Sequence, residues 1–219
     1  YGGGVTISDA DGGVNGFATA NIGGTDYLLV DYQTDESWGP KYDPNIMVLK
    51  WNAFDAWDTK NYLNPTPWVY PKNDFESFFE TGVTLTNSVS INGSNETSSF
   101  RMSYTNMDVD GYMPGNEMSK NALAFSGSSK VSKYLEASTN VNYVRTWAKG
   151  RPETGYGDKN PIMRMHQWGQ TSVDYKEMKA YKNPDGTQRT WNRIAWNNPK
   201  PNYSDNPYWS SYENAPEDL

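Results

Sequence analysis

The sequence predicts an all-β fold, and three observations predict it. Between residues 83 and 144, apolar and polar side chains alternate with period two over four runs of similar length, the pattern of half-buried strands. The connections between those runs alternate short, long and short. No stretch approaches the roughly 20 apolar residues of a membrane helix, whereas a membrane strand needs only about 9–11 alternating residues. Together these predict part of a large transmembrane antiparallel β-barrel with long extracellular loops, since such barrels carry tight turns at one rim and longer loops at the other.

The first run places Val83, Leu85, Val89 and Ile91 on one face and Thr84, Thr86, Ser88, Ser90 and Asn92 on the other, with Asn87 a polar intruder. In the second, Phe100, Met102 and Tyr104 oppose Arg101, Ser103 and Thr105. The third is weaker, with Leu123 and Phe125 set against Ala122, Ala124 and Ser126. The fourth sets Leu135, Ala137, Val141 and Tyr143 against Glu136, Ser138, Asn140 and Asn142. Residues 93–97 and 128–133 read as tight turns, and residues 107–120 as a longer excursion with Gly111, Pro114 and Gly115 as turn residues.

Three zones follow. Residues 1–78 read as an extracellular loop region and the start of the barrel, residues 79–146 as barrel strands in two hairpins, and residues 147–219 as a second long extracellular loop region. All nine tryptophans (38, 51, 57, 68, 147, 168, 191, 196 and 209) lie outside the strand zone. Disordered spacers are poor in large rings, so the flanks read as folded loops with small aromatic cores of their own. Short helices are expected over residues 173–181 and 74–80; in the second, Asp74 would cap and Phe75, Phe78 and Phe79 would share a face. Four strands cannot close a barrel, and an open edge in lipid costs several kcal/mol per unsatisfied backbone group. The chain is therefore expected to be a slice of something larger, consistent with a beginning, Tyr1-Gly2-Gly3-Gly4-Val5, that has neither initiator Met nor signal-peptide character.

Composition narrows the function. Hydrophobic residues make up only 36% and mean hydropathy is −0.85, yet aromatics reach 15%, so apolar surface is concentrated in rings. With 26 acidic against 19 basic residues and no basic stripe between the aromatics, nucleic acid is excluded as a partner. Cysteine is absent, which removes disulfide scaffolds and Cys-based zinc sites.

The chemistry expected is binding rather than catalysis: no catalytic, metal or cofactor site is assigned. Carboxylates gather at Asp31, Asp35 and Glu36 and again at Glu213, Glu217 and Asp218, but nothing fixes a pair at glycosidase spacing. Asp9 and Asp11 begin a calcium-loop pattern that lacks the later ligands of an EF-hand. His166 is the single histidine, too little for a His-based triad or metal cage. The glycines at positions 2–4, 12 and 13 precede no Gly-Lys-Ser/Thr and read as turns. Aromatic loops are the best candidates, because an indole or phenol ring stacks on a sugar or clamps a peptide, although such rings more often pack among themselves. Trp38 and Trp168 stand out as substrate-binding candidates, each in a polar loop.

Asp35-Glu36-Ser37-Trp38-Gly39-Pro40-Lys41-Tyr42-Asp43 is followed by Asn73-Asp74-Phe75-Glu76-Ser77-Phe78-Phe79-Glu80-Thr81-Gly82, and the two in this order resemble the start of the barrel in the SusC/RagA family of TonB-dependent outer-membrane transporters. Ser90-Ile91-Asn92-Gly93-Ser94-Asn95-Glu96, Phe100-Arg101-Met102-Ser103-Tyr104-Thr105-Asn106 and Gly111-Tyr112-Met113-Pro114-Gly115-Asn116 resemble its first clear hairpin and the following loop. Residues 183–192 and 205–209 resemble an outer loop, so the likeness runs from about residue 31 onward. One departure is Tyr42-Asp43-Pro44-Asn45-Ile46-Met47, where Asp-Gly is more usual.

The resemblance implies an outer-membrane location and a barrel of about 22 strands with a plugged lumen. It implies import of oligosaccharides or oligopeptides with a SusD-like lipoprotein outside, TonB as the source of energy, and pairing of transporter–lipoprotein units. The segment that contacts TonB and the plug domain would lie outside this stretch. The competing reading is a soluble β-sandwich carbohydrate-binding module with aromatic loops; a glycoside hydrolase is a third. Ser, Thr and Asn on the polar strand faces favour a crowded wet lumen over open solvent, where Lys and Glu are commoner.

Overall fold

Strands dominate the computed structural model, which describes residues 12–32, 37–157, 159–202 and 205–213. In chain order they are β1 (Ala18–Ile22), β2 (Thr25–Leu29), β3 (Asp43–Val48), β4 (Thr66–Trp68), β5 (Val83–Ser94), β6 (Ser98–Asp110), β7 (Glu117–Ser132), β8 (Leu135–Lys149), β9 (Arg193–Ala195) and β10 (Asn198–Pro201), with short helices α1 (Pro161–Met163) and α2 (Pro207–Tyr212). The chain divides into two compact units. One holds β5–β8; the other is assembled from both flanks.

In the first unit, β5, β6, β7 and β8 pair antiparallel in sequence order as an open sheet whose edges are β5 and β8. Residues directly opposite in a ladder share a face, so the register decides where each run points. Val89 pairs with Tyr104, Tyr104 with Leu123 and Leu123 with Tyr143; Ile91 pairs with Met102, Met102 with Phe125 and Phe125 with Val141. All four apolar runs therefore meet on one face.

The strands outrun their apolar alternation, which corrects the connection lengths. The long excursion shrinks to six residues, 111–116, because Met107 pairs with Lys120, Val109 with Met118 and Asp110 with Glu117. A ladder needs backbone groups, not apolar side chains, so polar strand ends read as loop in the sequence. The tight turns shrink similarly. Asn95 Oδ1 accepts from the amides of Thr97 (2.9 Å) and Ser98 (2.7 Å), closing one turn, while Lys133 and Tyr134 form the other. β8 likewise runs past its expected end and carries Trp147, placed outside the strand zone by the sequence, on the apolar face opposite Ser119.

Close packing fixes the sheet at two glycine positions. The Phe100 ring lies over Gly93 directly opposite, where a Cβ would come within 2.7 Å of Phe100 Cε1. At the loop end, Gly150 has φ +66° and passes so close to the Gly115 carbonyl that a side chain has no room. Asn116 Nδ2 donates to the Gly150 carbonyl at 3.1 Å and ties the 111–116 loop to the end of β8.

The flanks, read from the sequence as separate loop regions with cores of their own, share one core. β1 and β2 form a hairpin turned by Gly23 and Gly24, both with positive φ, and the Leu29 end of β2 packs with Leu49 and Ala53. β3 pairs with β4 through a register shift between Asp43 and Met47, where Asp43 Oδ1 accepts from the Asn45 amide at 2.9 Å. This Asp-capped turn settles the path at the unusual Asp43-Pro44-Asn45. Trp68 is fully buried, with Phe17 edge-on at 5.1 Å and its indole N–H donating to the Pro40 carbonyl at 3.1 Å. α2 begins at Pro207 behind Asn206, whose Oδ1 accepts from the Tyr208 amide at 2.9 Å. The same Asn206 side chain donates to the carbonyls of Met178 (2.9 Å) and Arg189 (2.7 Å) and so joins three segments.

The two expected helices are reduced to single 3₁₀ turns. Asp74 caps the turn Phe75–Phe78 as its sequence suggests, but only Phe78 of the three phenylalanines is fully buried, and Phe75 is exposed. Over residues 173–181 the helix is confined to Glu177–Lys179, because Asp174 Oδ1 accepts from the Lys176 amide and the chain is held by Asn73.

A buried ionic network ties the flanks across more than 130 residues. Arg189 Nε donates to Asp55 Oδ2 at 2.7 Å and its Nη2 to Asp58 Oδ2 at 2.6 Å. Arg193 Nη2 reaches both Asp55 oxygens at 2.7 Å. The Arg189 guanidinium lies between two indoles, 4.9 Å from the Trp51 centroid and 4.7 Å from that of Trp57. Burying these charges is costly, and only the full set of partners offsets the lost hydration. Removing one partner, as in Asp55→Ala, is expected to destabilise this unit by about 3–5 kcal/mol. Glu177→Ala, which breaks the exposed pair Lys60–Glu177 at 3.0 Å, is expected to cost under about 1 kcal/mol. Denaturant midpoints of the two variants, followed by tryptophan emission, check the contrast.

Candidate functional site

Two concave aromatic surfaces lie in the unit built from the flanks. The first, about 350 Å³, is lined by Trp38, Tyr70, Phe75, His166 and Tyr175, with Asp74 and Gln170 among its polar groups. Trp38 stands 66% exposed at this cleft. The segment bearing it is positioned through Ser37, whose carbonyl accepts from Thr171 Oγ1 at 2.9 Å and from the Thr171 amide at 3.3 Å. Tyr70 stacks edge-on to Tyr42 at 5.9 Å, and Phe75 lies 5.5 Å from the His166 ring. The phenols stay protonated: burial pushes Tyr42 up to about 12 and its hydroxyl donates to the Thr171 carbonyl at 3.1 Å, while burial and then the Asp74 carboxylate raise Tyr70.

Trp168, the second ring singled out by sequence, closes the wide turn Arg164–Trp168 that follows α1. The first cleft takes Met165, His166 and Gly169 from this region but not Trp168, so the structure does not bring the two tryptophans into one lining. Trp168 is half-buried, and its buried indole N–H has no hydrogen-bond partner among the described residues.

The second cleft, about 220 Å³, contains rings that the sequence did not single out. Trp51, Phe54, Trp191 and Trp196 line it with Tyr32, and Arg193 and Asp31 supply charge. Trp196, on the two-residue turn between β9 and β10, is half-exposed and lies 5.7 Å from Phe54. These residues come from chain positions some 140 apart, joined by the Asp55–Arg189–Arg193 network, so their convergence carries no local signal. What the chain does show is the concentration of tryptophan in both flanks.

The remaining chemical candidates are placed as follows. His166 is an exposed imidazole against Phe75. Glu213 accepts from Lys182 Nζ at 2.6 Å and from the Tyr181 hydroxyl at 3.2 Å. Asp9, Asp11, Asp35, Glu36, Glu217 and Asp218 lie outside the described residues. Among the described residues no three His, Cys, Asp or Glu side chains gather as metal ligands.

The β5–β8 sheet presents a third surface. Opposite its apolar face, successive cross-strand rows read Ser88–Thr105–Ala122–Val144, Ser90–Ser103–Ala124–Asn142, Asn92–Arg101–Ser126–Asn140 and Ser94–Ser99–Ser128–Ser138. Hydroxyls bond across this face, Ser88 to Thr105 at 2.9 Å and Ser99 to Ser128 at 3.0 Å. On the apolar face a row of Asn87, Asn106, Asn121 and Arg145 separates the main band of rings and aliphatic chains from Val83, Leu85 and Trp147 nearer the strand ends, and the Tyr104 hydroxyl donates to Asn121 Oδ1 at 2.6 Å. No protein-family model matches the chain, and no curated protein matches it.

Both clefts expose ring faces, the kind of surface on which flat ligands stack. Trp196→Ala is expected to weaken binding of maltohexaose, or of a hexapeptide bearing one phenylalanine, by roughly threefold to tenfold, the worth of one ring contact. Titration followed by tryptophan emission checks this, and unchanged affinity for both probes removes Trp196 from the binding surface.

Proposed function

We propose that this chain supplies two hairpins of the wall of a SusC-type, TonB-dependent outer-membrane importer, together with folded loops on its outer side. The observation that carries the reading is a sheet with an apolar band left open on one face and mostly Ser, Thr and Asn in the facing rows of the other. Val89 and Tyr143 on the apolar face are each 61% exposed, and Ile91, Val141 and Leu123 are exposed with them. An uncovered apolar sheet face of this size is expensive in water and suits lipid. Tight turns at one end and the 111–116 loop at the other support the same orientation, with the loop end outside.

Two further features support it. The edges β5 and β8 do not pair with each other, so further strands are needed to remove unsatisfied backbone groups in a bilayer. Aromatic residues also stand beyond the apolar band, Tyr134 in the tight turn and Trp147 toward the loop end, as interfacial girdles do. In this role the polar face lines the lumen and the aromatic clefts meet oligosaccharide or oligopeptide cargo before it enters. A SusD-like lipoprotein would cap the outside and TonB would act through other parts of the polypeptide.

The intact polypeptide tests the reading. A 22-strand barrel built from such hairpins predicts a species about five times the length of this stretch, extracted from outer membranes by detergent and not by alkaline carbonate. A water-soluble species of 24.7 kDa contradicts it. In the intact transporter, Trp38→Ala is expected to reduce cargo affinity roughly threefold to tenfold with surface levels unchanged, measured by whole-cell binding.

A further inference from the structure

The polar face of the sheet carries a charge imbalance that the rest of the chain does not share. The chain as a whole has a net charge of −7. Yet the residues whose ladder partners place them on this face include three cations, Arg101, Lys120 and Lys130, against one carboxylate, Glu136. Glu136 is the direct cross-strand partner of Lys130, which leaves Arg101 and Lys120 without an acid in the facing positions.

Arg101 is the sharper case. It sits on the interior strand β6 with Asn92 on one side and Ser126 on the other. The rows above and below it hold only serine, alanine and asparagine, and neither contains a carboxylate. Among the described residues its guanidinium makes no hydrogen bond or ion pair. With small neighbours on every side it is exposed, and it borders an open hollow of about 400 Å³ together with Asn92, Ser94, Ser99, Ser126 and Asn140. A solvent-facing sheet would ordinarily set an acid across from such an arginine.

We propose that this face binds a carboxylate-bearing solute, with the Arg101 guanidinium as the anchor and the flanking serine and asparagine side chains as additional donors. The inference rests on the proposed importer reading, in which this face lines the lumen, and adds to it a preference for acidic cargo. The planar guanidinium fork matches a carboxylate through two parallel N–H···O bonds. One cation balances one carboxylate, whereas a phosphate of about −1.5 to −2 would call for a second positive group at the same place. Lys120 is six residues along the ladder from Ser126, roughly 20 Å away, and Lys130 four residues, roughly 13 Å. An extended acidic oligomer lying along the strands can therefore meet Arg101 and Lys120 in turn, and cations ranged along one surface raise the local concentration of their counter-ion.

Dansyl-labelled hexaglutamate and dansyl-labelled hexaserine are the probes, used with the full-length protein in detergent at low salt. Hexaglutamate is expected to bind more tightly than hexaserine. That excess is expected to fall about fivefold in Arg101→Gln, and in the parent protein as salt is raised, while Arg101→Lys keeps part of it and hexaserine binding stays level. Among the described residues Arg101 makes no hydrogen bond or ion pair that these variants would remove, so they keep the fold. Equal hexaglutamate affinity in the parent and Arg101→Gln overturns the site, whatever transport shows. A second arm follows uptake of the same probes into cells: loss of the acidic preference in Arg101→Gln supports the site in transport. Binding that depends on Arg101 without any uptake of either probe contradicts the importer reading and leaves the site standing.

Discussion

Backbone register is the constraint on which the four-stranded unit depends. Side chains alternate with period two, so a slip of one residue in any ladder would send that strand's apolar chains to the polar face. The pairings Ile91–Met102, Met102–Phe125 and Phe125–Val141 hold four separately written alternations in phase. Tight turns help to set that phase. Asn95 closes one, its side-chain oxygen accepting from two backbone amides, and the two-residue turn at Lys133 and Tyr134 sets the other. The Phe100 ring over Gly93 and the Gly150–Gly115 crossing then leave little freedom at either end.

A different physics holds the flanks together. Their core is poor in aliphatic residues and rich in rings, and its centre is charged. Asp55 meets Arg189 and Arg193, and the Arg189 guanidinium is clasped by Trp51 and Trp57. Such a network is directional: the planar donors of arginine accept few arrangements of carboxylate and indole. It therefore specifies which distant segments meet, a task that apolar burial alone does loosely. The aromatic cleft of Trp51, Phe54, Trp191 and Trp196 is a by-product of that convergence, since Arg193 belongs to both the network and the cleft lining.

What was legible in the sequence follows from range. The four strands could be read because period-two patterning is local, as could the Asp74 cap and the turn at residues 95–97. Strand ends could not be read, because Asp108, Asp110, Glu117 and Lys130 look like loop residues while their backbones pair normally. The expected helix over residues 173–181 failed where the Asp174 side chain and Asn73 tie the chain into a different path. The union of the flanks was invisible, since no short-range pattern announces that Asp55 will meet Arg189. Trp38 was singled out because it lies in a polar loop, and it lines the first cleft; the rings of the second cleft needed the tertiary fold to be found.

The proposed role joins these parts into one physical scheme, with an apolar face toward lipid, a hydroxyl-rich face toward water, and ring-lined clefts in the folded loops. Its central claim is that the two sheet faces meet different solvents. The stretch contains no cysteine, so single cysteines at Val89, Ile91 and Val141 and at Ser90, Asn92 and Asn142, placed in a cysteine-free form of the membrane-embedded protein, can each carry one fluorophore. A lipid-facing band predicts that nitroxide-bearing lipid quenches the first set and water-soluble iodide the second. Iodide quenching of both sets alike, or lipid quenching of neither, would contradict it.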